Sequence, residues 1–149
     1  MALSFLDSSA LFRRYLRSEV GGSRLRQLGQ EWSRHTLFIT RLALVECASA
    51  RSRRLREGTI SVTERNRLWQ LMNAHAREQY KVIELDDRAY AMAEHLLFAY
   101  RLRTLDALQL AGALVITARI PRSRLEFWTA DRQQAHAAAA EGLAVELLA

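Results

Sequence analysis

Residues 4–12 read SFLDSSALF: an apolar run, an aspartate, two serines and a second apolar run. The first run suits a β-strand over residues 3–7, and Asp7 with Ser8 and Ser9 starts a helix over 9–17. The same junction recurs as EFWTADRQQ, residues 126–134, where a strand over 125–129 meets Asp131 and a helix over 131–141. Working inward, residues 23–35, 41–56, 62–79, 86–100 and 104–119 read as helices, and 36–39 and 80–85 as strands. Gly58 stops a helix, Pro121 marks a turn, and a last strand over 143–147 follows Gly142. This alternation predicts an α/β domain: a parallel sheet flanked by helices. Ligands of such sheets sit at the carboxyl ends of the strands, where Asp7 and Asp131 both fall.

The 149 residues suit one domain, 1–149, and half are apolar, enough to form a sizeable core without staples. Six glycines and one proline exclude collagen-like and linker-type chains. A single cysteine, Cys47, with no Cys/His cluster, excludes an internal disulfide and fits a reducing, cytoplasmic setting. The longest clean apolar stretch, 110–118, falls far short of the roughly 20 residues of a membrane helix, so no membrane role is expected. A net charge of +6, from 22 basic and 16 acidic side chains, is compatible with a polyanionic partner. Because Lys81 is the one lysine, the arginine bias also fits genome base composition.

Four acids stand outside the solvated helix faces where most acids of the chain fall. Asp7 and Asp131 are strand-end acids, for each of which a helix N-cap is a sufficient account. Glu46 lies in LALVECASA, residues 42–50, with no other charge in that stretch. Burying it unpaired costs several kcal/mol, so it needs a metal or a basic partner such as Arg41. Asp106 opens the apolar segment TLDALQLAGALVITA, residues 104–118, where the helix dipole alone favours an acid. Four carboxylates at one sheet edge would repel one another unless a cation neutralised them. Oxygen-only ligation selects Mg²⁺ or Mn²⁺, a chemistry suited to phosphodiester hydrolysis. Arg51, Arg53, Arg54 and Arg56 form the densest basic run, a candidate RNA-binding strip or simply a solvated helix end. Arg13, Arg14 and Arg17 form a second cluster, expected to face solvent or a protein partner. His35, His75, His95 and His136 show no ligand spacing and are expected on the surface.

FLDSSAL, LALVECASA, LRTLDALQLAGAL and FWTADRQQ resemble, in that order, the four acidic motifs of the PIN-domain ribonucleases, and within them the VapC-type toxins of toxin–antitoxin pairs. The resemblance implies a three-layer α/β/α domain with a parallel sheet of four to five strands. It implies a Mg²⁺- or Mn²⁺-dependent endoribonuclease with Asp7, Glu46, Asp106 and Asp131 as metal-binding, catalytic acids. Ser9 and Thr129 match hydroxyl residues that position those acids or the substrate. A small cognate antitoxin and a homodimer are implied as partners. Gln109 stands where many relatives carry His, and Gly112 replaces a commoner small polar residue. The alternative is an inactive PIN-like module that binds RNA or protein.

Overall fold

A computed structural model describes residues 2–16, 20–120 and 124–148. Arg17 and Pro121, singled out above, lie outside the described residues. The five strands are β1 (Ala2–Leu6), β2 (His35–Thr40), β3 (Tyr80–Ile83), β4 (Leu125–Thr129) and β5 (Ala144–Leu147). They form one all-parallel sheet in the order β3-β2-β1-β4-β5.

Helices α1 (Ser8–Arg13) and α2 (Gly22–Gln30) connect β1 to β2, and α3 (Arg41–Arg56) and α4 (Val62–Glu78) connect β2 to β3. Helices α5 (Asp87–Ala99) and α6 (Thr104–Arg119) lead to β4, and α7 (Arg132–Ala140) leads to β5. The alternation expected from the sequence is present throughout. The helix expected over 23–35 is shorter, ending at Gln30 and followed by a 3-10 turn over Trp32–Arg34, because His35 already pairs with Ala2 in the sheet. The first helix also ends sooner than expected, at Arg13.

Strand side chains alternate between two cores, as a period of two requires. Leu6, Leu37, Ile39 and Trp128 face α1–α4 with Leu11, Leu25, Leu68 and Met72. Phe5, Phe38, Leu125 and Phe127 face α5–α7 with Leu96, Leu110 and Ala138. Phe5 and Phe127 stack across β1 and β4 at 5.5 Å between ring centres. The result is the three-layer α/β/α arrangement. From β1 the chain moves outward through β2 to β3, then crosses back to β4 on the other side of β1. That reversal opens a crevice beyond the carboxyl ends of β1 and β4, the usual ligand position in open sheets.

Candidate active site

Asp7 lies at the carboxyl end of β1, beneath this crevice. It leaves β1 with extended backbone, caps α1 by accepting from the Ala10 amide at 2.9 Å, and is only 3% exposed. Its Oδ1 also accepts from the Ser9 hydroxyl at 2.6 Å, and its Oδ2 from the Thr129 hydroxyl at 2.5 Å. The N-cap account therefore holds, yet it describes one oxygen of a carboxylate that neutral donors grip on both. Burial raises the Asp7 pKa to about 6 against the lowering effect of these hydrogen bonds, and the charge of Asp106 pushes it further up. Ser9 and Thr129, singled out in the sequence, are the two hydroxyls that hold Asp7. Each is also tied to the next turn, Ser9 accepting from the Ala130 amide and Thr129 from the Asp131 amide.

Asp131 caps α7, its Oδ1 accepting from the amides of Gln133 and Gln134 at 2.8 and 3.2 Å. Asp106 lies in the first turn of α6 and accepts from Arg103 Nε at 3.2 Å. Its side chain is 18% exposed, whereas that of Arg103 is 84% exposed. Glu46 stands in the second turn of α3. It does not pair with Arg41, which meets Glu84 instead. Gln109 Nε2 donates to Glu46 at 2.9 Å, and Gln109 Oε1 accepts from Thr40, whose hydroxyl also caps α3.

Glu46, Asp106 and Asp131 line one cavity of about 290 Å³, together with Ser9. Arg13, Arg53, Arg54 and Arg103 line the same cavity. Asp7 lies buried behind it, held by Ser9. Among the described residues no three acidic, histidine or cysteine side chains are grouped so as to hold a metal ion. The donors are nonetheless carboxylate and hydroxyl oxygens, the kind a hard cation takes.

This chain has the PIN-like fold of the VapC toxins. The VapBC2 structure from Rickettsia felis, bound to a promoter DNA fragment, aligns at TM-score 0.66 and 11% identity over 97% of this chain and 98% of that one. VapC20 from Mycobacterium tuberculosis, described as a sarcin–ricin loop cleaving toxin, aligns at 0.65 and 12% identity over 94% and 95%. DNA-bound VapBC from Salmonella typhimurium aligns at 0.64 and 13% identity over the full length of both chains. No family model matches the chain, and no curated protein matches it by sequence.

The PIN-like frame splits the arginine run. Arg53 and Arg54 reach the acid cavity, but Arg51 is 4% exposed, with Met72 Sδ 3.4 Å from its Nη1. The solvent- or partner-facing position expected for Arg13 and Arg14 is also revised. Arg13 lines the acid cavity, while Arg14 is buried on the other side of α1. His75 is not a simple surface histidine: its Nδ1 lies 2.8 Å from the Tyr15 hydroxyl, and burial, then Arg14, lower its pKa to about 4. Cys47 is buried, which pushes its thiol up to about 12, so it is no nucleophile.

Sequence reasoning missed Thr40 and Gln134 and treated Gln109 only as a departure. Gln134 Nε2 donates to the Asp106 carbonyl at 2.7 Å. A glutamine one turn from Asp106 in an otherwise apolar helix was the readable signal. Thr40 and Gln134 carried none beyond helix-start chemistry.

Proposed function

We propose that this protein is an endoribonuclease dependent on Mg²⁺ or Mn²⁺ and the toxin of a toxin–antitoxin pair. The observation that carries the reading is the convergence of Glu46, Asp106 and Asp131 on one arginine-walled cavity, with Asp7 buried behind it. The ribonuclease and antitoxin parts draw further support from structural neighbours described as VapBC complexes and as an RNA-cleaving VapC.

Asp7, Glu46 and Asp106 would hold the ion, with Asp131 at the rim. The chemistry supplied by such an ion, when bound, is a water of lowered pKa and charge stabilisation on the phosphodiester oxygens. The chain itself fixes the acids. Ser9 and Thr129 hold both oxygens of Asp7, Gln109 holds Glu46, and the α7 amides hold Asp131. Such preorganisation would keep the carboxylate oxygens in place for a cation without reorganisation during the reaction. Arg13, Arg53, Arg54 and Arg103 supply positive walls that bind and orient the RNA backbone.

Incubating total RNA with the protein, with and without Mg²⁺ or Mn²⁺, and mapping ends at nucleotide resolution tests the reading. Discrete metal-dependent ends are expected; intact RNA under every condition overturns it. Growth arrest on expression, relieved by a small antitoxin, tests the partner, and light scattering tests the homodimer. A second reading, a PIN-like binding module without catalysis, is favoured by the Arg103–Asp106 pair and the absence of a closed acid group among the described residues. It predicts RNA binding without new ends.

A further inference from the structure

A second cavity, of about 460 Å³, lies between α1, α2, the end of α3 and α4. Four arginines line it, Arg14, Arg26, Arg54 and Arg67, with Tyr15 and His75 beside them. Among the described residues Glu64 is the one acid on its wall, and its Oε1 accepts from Ser61 in the capping box of α4. Arg14 is 7% exposed, yet among the described residues its guanidinium meets neutral acceptors: Tyr80 Oη at 2.6 Å and Gln79 Oε1 at 2.8 Å. The rings of Tyr15 and Tyr80 flank it at 5.5 and 5.6 Å.

A guanidinium can only donate, which sets the polarity of the contacts around it. Tyr80 accepts from Arg14, and its hydroxyl lies 2.6 Å from that of Tyr15, which in turn lies 2.8 Å from His75 Nδ1. The lowered pKa keeps His75 neutral. Among the described residues the cavity wall is richer in donors and positive charge than in acids.

We propose that this cavity binds a backbone phosphate of the RNA whose scissile bond lies among the acids, with Arg14, Arg26 and Arg67 as its donors. Arg54 and Leu16 line both cavities, so a strand leaving the acids over Arg54 enters the second cavity directly. That continuity favours an RNA strand over an acidic peptide. The inference rests on the ribonuclease reading and adds a subsite remote from the reacting phosphate.

The test uses the cleavage-deficient Asp106→Asn protein with and without Arg26→Gln and Arg67→Gln. Binding of oligouridines is measured against salt for a strand of about four nucleotides, confined to the acid cavity, and one of about twelve. Losing this phosphate contact should flatten the slope of log K against log salt by about 0.7 for the longer strand, roughly 5-fold in affinity at about 0.1 M salt. The short strand should bind both proteins alike. Arg26→Lys with Arg67→Lys should restore the slope, which a folding defect would not allow. An unchanged slope with the longer strand overturns the subsite, as does equal loss with both strands. Loss of polyglutamate binding with RNA binding intact would instead assign the cavity to an acidic partner. Wild-type protein that cleaves RNA while the slope stays unchanged sinks only this inference; failure to cleave any RNA sinks the ribonuclease reading.

Discussion

Helix α1 has a buried charge at each end. Asp7 caps its N-terminus and Arg14 its C-terminus, each with the sign that the helix dipole favours. Each is held by neutral groups: the acid by Ser9, Ala10 and Thr129, the base by Tyr80 and Gln79. The two ends differ in how they relieve the cost of burial. A carboxyl with its pKa near 6 can take up a proton or a cation, whereas a guanidinium stays charged at any accessible pH. The acid end is therefore responsive, and the basic end depends on fixed geometry.

The largest effect tests whether the acid end is the reactive one. Glu46→Gln and Asp106→Asn should each lower RNA cleavage on the order of 10³-fold, the scale of losing one preorganised electrostatic group. Circular dichroism should show an unchanged fold. Full activity in either variant removes that acid from the site.

Next comes pH. The Asp7 pKa is raised in the folded state, so between about pH 4 and 6 the native protein holds a proton that the unfolded chain releases. Its contribution thus falls as pH rises through that window, by up to about 3 kcal/mol, and is flat above it. Denaturant unfolding of wild type and Asp7→Asn across this range isolates the effect, because Asn also caps helices well. A constant difference between the two would break the contrast. Mn²⁺ should accordingly raise the melting temperature more above pH 6 than below pH 5.

At the basic end, Tyr80→Phe removes the hydroxyl that accepts from Arg14 and leaves a buried donor unmet. A loss of about 1–2 kcal/mol is expected, with no comparable pH dependence between 4 and 6. An unaffected unfolding midpoint would mean that Arg14 does not need Tyr80. The smallest effect belongs to Arg51. Replacing this buried arginine with Met should change stability by less than about 0.5 kcal/mol and leave RNA binding as it was. A measurable drop in RNA affinity would return Arg51 to the RNA-binding strip.

The acid end was legible because its parts are local. Asp7 and Asp131 follow strands and precede helices, and Asp106 opens the most apolar helix, so sheet topology alone brings them to one edge. The basic end was not legible, because Arg14 owes its burial to Tyr80 and Gln79, more than sixty residues away. Arg51 could have been read correctly. It follows Ala43 and Cys47 at four-residue intervals on the buried face of α3, whereas Glu46, Arg53 and Arg54 border the acid cavity.

The Thr129 hydroxyl on Asp7 joins residues 122 positions apart. During synthesis β1 is complete long before β4 exists, and the grip on Asp7 waits until β4 has inserted beside it. Helices α1–α4 and strands β1–β3 can come together earlier, without Asp106, Thr129 or Asp131. A site assembled in this order is completed only once β4 has joined β1 in the sheet.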